Sequence, residues 1–225
     1  VKVEAFIQKA KSKFKTSDKS VHSSLDAKFV FNLIKNQDTT FLKHKHINVK
    51  TEIDFNKTNN LLELQPTEVH LEGAEFNMEG QIDFNNDLFL DLIFTGQKPN
   101  FDLLIAMAPE ELISTLKAYE NEADLFIQTT IKGSSLNGKR PDINATFKCQ
   151  NGRILNSKNN RSLKDINFSG TYSNGKAKRP ETMLLKFDEF SAKSGDDAGM
   201  LNTSFSIFDF RAPDIKLNAN TEIEL

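Results

Sequence analysis

The sequence predicts a mainly β protein, a long curled antiparallel meander sheet forming an open groove, with one short α-helix near 109–119. Three observations predict it. Apolar and polar residues alternate with period two along most of the 225 residues. Clusters of Gly, Asn, Asp and Pro interrupt the alternation at hairpin spacing. Apolar residues (AVILMFWYC) make up only 38%. Successive strand side chains point to opposite sides, so each alternating run has one apolar and one hydrated face, the pattern of an antiparallel sheet wetted on one side. Counted with Gly in place of Tyr, the apolar share is roughly 41%, against about 45–50% in ordinary globular domains. That leaves too little apolar material for a sheet buried on both faces.

The elements follow in order. Ala27, Phe29, Phe31 and Leu33 alternate with Lys28, Val30, Asn32 and Ile34. Ile47, Val49, Thr51, Ile53 and Phe55 alternate with Asn48, Lys50, Glu52 and Asp54. Val69 and Leu71, Phe76 and Met78, and Ile82 and Phe84 continue the pattern, followed by Leu88, Leu90, Leu92 and Phe94. Later runs are Leu125 to Ile131, Ile143 to Cys149 and Ile215 to Leu225. Reversals are expected at Asn85-Asn86-Asp87, Gly133 to Pro141, Ser173 to Lys176 and Lys193 to Gly199, where Gly, Asn and Asp supply positive φ angles. The count is about a dozen strands joined up and down. From Pro109 to Tyr119 the period changes: Leu112, Ile113, Leu116 and Tyr119 recur at helical spacing behind Pro109, Glu110 and Glu111, which suit a helix start.

Composition narrows the function classes. With 29 Lys+Arg against 31 Asp+Glu and a net charge of -2, the chain lacks the basic excess of a nucleic-acid binder. A single cysteine excludes an internal disulfide and a Cys-based zinc site. No apolar run approaches the roughly 18 residues of a membrane-spanning helix, and no signal peptide opens the sequence. Both ends fall inside patterned sequence, so residues 1–225 are expected to be a single β-rich domain and a piece of a longer chain.

Catalytic chemistry finds no support. His44 and His46 sit two apart on an expected strand, half of a metal site without a spaced third ligand, so solvent-facing strand histidines are the simpler role. Cys149 ends an alternating run as a small hydrophobe. Asp196-Asp197 lacks the spaced oxygen ligands of a calcium loop. Lys9 to Lys15 suits either anionic head groups or a lysine-protected edge strand. Phosphate loops, nucleophile elbows and His-Glu metal helices are absent. The expectation is no enzyme, no cofactor and no metal.

The aromatic balance is unusual: 19 Phe, 2 Tyr and no Trp. Phe fills apolar space without a polar handle. A one-sided sheet of a dozen strands extends roughly 55–60 Å and must close, pack on a second sheet, or curl into a trough that holds a ligand. The lean apolar content favours the trough.

From about Leu90 onward the order of pieces resembles the AsmA family of bacterial envelope proteins, in its C-terminal AsmA-like region. The pieces are Asn100-Phe101-Asp102-Leu103-Leu104, the segment from Pro109 to Leu116, Leu125 to Lys132-Gly133, and Arg140-Pro141-Asp142-Ile143-Asn144-Ala145. Then come Asn151-Gly152, Leu163-Lys164-Asp165-Ile166-Asn167, Tyr172-Ser173-Asn174-Gly175, Leu184 to Gly195 and Ala212-Pro213-Asp214-Ile215-Lys216-Leu217. The resemblance marks residues 76–225 as the AsmA-like region, while residues 1–75 match in strand pattern alone. It implies a periplasmic, β-rich, non-catalytic protein of the cell envelope and outer-membrane biogenesis, tethered to the inner membrane by an N-terminal helix. It also implies kinship with bridge-like lipid-transfer proteins, whose curled sheets carry acyl chains.

Two functions are therefore expected to compete. In the first, the sheet binds or conducts phospholipid acyl chains, with Phe29, Phe31, Ile53, Phe55, Phe76, Met78, Leu90, Leu92, Ile127, Ile143, Phe147 and Phe205 facing the lipid. In the second, the chain is a structural or assembly module of the envelope whose Phe core packs on itself and whose edge strands recruit envelope membrane proteins by β-augmentation.

Overall fold

Alternation along the chain becomes one continuous sheet. The computed structural model describes residues 2–36, 39–71, 74–85, 87–98, 100–102, 119–156, 160–194, 199–212 and 214–223. Twelve strands follow one another as β1 (Lys2–Thr16), β2 (Ser20–Asn36), β3 (Thr39–Asn56), β4 (Leu61–Leu71), β5 (Ala74–Asp83) and β6 (Phe89–Lys98). They continue as β7 (Tyr119–Ser134), β8 (Asp142–Asn156), β9 (Arg161–Ser173), β10 (Leu184–Ser194), β11 (Gly199–Phe208) and β12 (Asp214–Ile223). A 3₁₀ turn, Pro180–Thr182, with Pro at its start, leads into β10. Spatial order equals chain order, every pairing is antiparallel, and β1 does not pair with β12. The sheet is open.

Three of the expected turns fall where predicted: Asp87 and Leu88, Asn137, and Gly175 take positive φ in the connections after β5, β7 and β9, whereas most of the reversal expected at Lys193 to Gly199 lies outside the described residues. Asn60, in a connection the sequence reading did not name, also takes positive φ. The helix expected over Pro109–Tyr119 falls outside the described residues at 109–118, and Tyr119 opens β7 instead of closing a helix.

Among the described residues, all twelve strands belong to one sheet and no strand forms a second sheet stacked on it. The solvent-accessible surface, 14375 Å², agrees with this. A compact monomer of the same mass exposes roughly 10,000 Å². Register irregularities at Lys50/Ile53, Leu64/Thr67, Glu122/Asp124, Cys149/Gly152 and Phe187/Glu189 recur across the sheet. Extra residues of this kind bend a strand and raise its twist, so a long run of hairpins carrying them curls. Buried polar side chains hold one such irregularity. Thr51 and Thr67 share a hydrogen bond of 2.6 Å, and the Thr67 hydroxyl also donates to the Gln65 carbonyl at 2.6 Å.

Candidate functional site

The ladder registers sort the side chains into two faces. One row of paired residues runs Thr67, Met78, Phe94, Thr129, Ala145, Tyr172, Leu185, Ile207, Ile215 from β4 to β12. One residue along each strand, on the other face, the row reads Lys11, Asp26, Lys50, Glu68, Asn77, Thr95, Gln128, Thr146, Thr171, Lys186, Ser206, Lys216 from β1 to β12. The first row is apolar but for two threonines. The second is wholly polar. Strand side chains stand roughly perpendicular to the sheet, so the molecule has one apolar and one hydrated side.

Register brings eleven of the twelve candidate lipid-facing residues to the apolar side. Ile127 pairs with Phe147, and Ile131 pairs with Ile143 and Leu92. Phe94 pairs with Met78, and Phe76, two residues before Met78, pairs with Val69. Leu64 joins Ile53 to Gly80, which pairs with Leu92; Leu62 joins Phe55 to Ile82, which pairs with Leu90. Phe29 pairs with Ile47, and Phe205 reaches Phe147 through Phe187 and Gly170. Phe31 holds the matching backbone position, opposite Lys45. Leu92 and Ile127 are buried; Phe29, Ile53, Phe55, Phe76, Met78, Leu90, Ile143, Phe147 and Phe205 are half-buried.

Burial on this side is graded. Its middle, with Leu71, Ala74, Leu125, Cys149, Phe168 and Ala192, is closed to water. Its margins are open: Ile7 and Phe14 on β1 are 66% and 70% exposed, Ile215 and Leu217 on β12 60% and 65%. The middle is aromatic. Phe187 stacks on Phe205 with centroids 4.3 Å apart and lies 5.0 Å from Phe147 and 5.7 Å from Phe168. Phe168 also stacks on Phe190 and on Phe101, which follows β6 and whose N–H donates to Asn121 Oδ1 at 2.7 Å. Phe168, Phe187 and Phe190 are not among the residues predicted from the sequence to face lipid. The signal was the alternation Ile166, Phe168, Gly170, Tyr172, with Leu185 and Phe187 on the next strand.

Gly170 makes the cluster possible. A Cβ built there would lie 2.2 Å from the Lys186 carbonyl oxygen and 2.5 Å from the Phe147 ring. Cys149, paired with Leu125 and Phe168, donates weakly to the Ile166 carbonyl at 3.6 Å. Burial, with a smaller push from Asp124, raises its thiol to about 11. It is inert packing. Burial likewise raises the Tyr172 hydroxyl.

The polar side and the strand ends carry exposed ion pairs. Lys98 holds Glu75 at 3.0 Å, and its hydrogen bond keeps that carboxyl below the usual range. Lys9, Lys11, Lys13 and Lys15 are all exposed along β1, the open edge. His46 is exposed, nothing is described of the His44 side chain, and Asp196-Asp197 lies outside the described residues. Among the described residues no three His, Cys, Asp or Glu converge on a metal position. No family model, curated protein or solved structure matches the chain.

Proposed function

We propose that the protein handles envelope lipids, binding or conducting phospholipid acyl chains along the apolar side of its sheet. The observation that carries this reading is the pair of adjacent rows, one apolar and one polar, across a sheet with no second layer among the described strands. Each methylene exposed to water costs about 0.8 kcal/mol, so a 16-carbon chain costs roughly 12 kcal/mol. A continuous apolar strip removes most of that cost and needs no catalytic group. From β4 to β12 the strip spans about 38 Å at ~4.8 Å per strand. One leaflet of a bilayer core is about 15 Å thick, so a chain has room to lie and to shift. The resemblance to AsmA proteins supports the same reading and, with it, a periplasmic site and an inner-membrane tether in the full-length protein.

The test is lipid content. Protein purified without detergent, denatured and extracted should yield phospholipid by mass spectrometry, and should take up labelled phospholipid from vesicles. Lipid-free protein that takes up none would contradict the proposal. The aromatic cluster from β8 to β11 favours a second reading, a structural module whose face packs on itself. Its open edges, β1 and β12, would then bind envelope partners by strand addition.

A further inference from the structure

The turns joining β7 to β8 and β9 to β10 lie side by side, because β8 pairs with both β7 and β9. Buried Asn174 fastens them together: its Nδ2 donates to the Pro141 carbonyl and its Oδ1 accepts from the Ile143 N–H, both at 2.9 Å. Between the turns is a cleft of about 410 Å³ whose walls carry Lys139, Arg140, Lys178 and Arg179, with Ser134 and Gly138 beside them and no carboxylate. Acids outside the cleft hold the two lysines, Asp87 on Lys139 and Asp142 on Lys178. The two arginines have no such acid in contact among the described residues. Arg140 Nη1 donates to the Lys178 carbonyl at 3.0 Å, which orients the guanidinium without neutralising it. Arg179 acts on Glu181 through space and forms no contact ion pair among the described residues.

We infer that this cleft binds an oxyanion of the phosphate class, free or carried by a lipid head group. A guanidinium offers a planar fork of donors that matches phosphate oxygens in pairs. Two guanidiniums without a contact carboxylate among the described residues, held between rigidly joined turns, suit one phosphate group. Asp87 is held below the usual carboxylate range by Lys139 and Asn137, and Glu181 by its own backbone N–H, by Arg211 and, last, by Arg179. The lysine row on β1 is also cationic, but it lines a strand edge, where lysines block edge-to-edge pairing. The inference is independent of what covers the apolar face.

The experiment titrates the full chain with inorganic phosphate at constant ionic strength, following backbone amide resonances. Saturable shifts are expected at Gly138, Arg140 and Lys178. The R140Q/R179Q double variant should bind at least about tenfold more weakly with an unchanged circular dichroism spectrum. R179Q alone, which removes a side chain outside every described contact ion pair, should weaken binding in the same direction if the double variant folds poorly. Two vesicle arms identify the source of the phosphate: phosphatidylcholine alone, and phosphatidylcholine mixed with phosphatidylglycerol. Binding to the mixed vesicles that the substitutions abolish and free phosphate competes away assigns the cleft to a head group. Phosphate binding without vesicle binding assigns it to free phosphate. Shifts that never saturate, or equal affinity in the wild type and both variants, overturn the inference.

Discussion

At the residue scale, a few side chains decide whether the apolar side can close. Cys149 was legible in the sequence as packing rather than chemistry, because it ends an alternating run. With its thiol at about 11, roughly one molecule in a thousand carries a thiolate at pH 8. Cys149 should therefore resist iodoacetamide in the native protein and react fully in denaturant; rapid native labelling would contradict the burial. Gly170 was not legible, because its role depends on Phe147 and Lys186, which only the register brings beside it. Gly170→Ala should cost about 1–3 kcal/mol in denaturant unfolding, and an unchanged midpoint would show that the strands can spread. Asp87 bears on acid stability. Its folded carboxyl lies below the ordinary value, so its contribution is complete above about pH 4 and fades as pH falls through the lower folded value. Asp87→Asn should flatten the acid limb of the stability curve; identical limbs would exclude the Lys139 contact as its cause.

At the element scale, period two was sufficient to read most strands, because a half-wetted strand must alternate. The bulges were hidden: at Leu64/Thr67 the inward positions of β4 change from Leu62 and Leu64 to Thr67 and Val69, a one-residue shift that only the pairing with β5 reveals. So were the strands of the aromatic cluster, whose residues meet across neighbours. Even so, all the candidate lipid-facing residues lie at register positions of one side, because alternation and register share the same parity. One substitution separates the two functional readings, and a second is its control. Met78 is half-buried on β5, so Met78→Asp should leave a folded protein with impaired lipid uptake if the side is open, and an unfolded one if it packs on itself. Phe168 lies in the closed middle, and Phe168→Ala should cost about 3–5 kcal/mol under either reading, as read by thermal unfolding.

At the scale of the molecule, the twelve consecutive strands among the described residues build a sheet with two edges, one apolar side and more surface than a compact chain needs. Lean apolar composition announced this: the chain lacks the material to cover what it exposes. Function was less legible, since no catalytic group marks the site and an apolar strip is distributed over many ordinary residues. Lipid is expected to meet the apolar side alone. Photo-crosslinking residues placed singly at Met78, Phe94 and Leu185 on the apolar row, and at Asn77, Thr95 and Lys186 on the polar row, test it in the presence of phospholipid vesicles. Lipid adducts at the first three positions and none at the second three are the predicted result. Equal labelling of both rows, or no adduct at any position, would contradict the account.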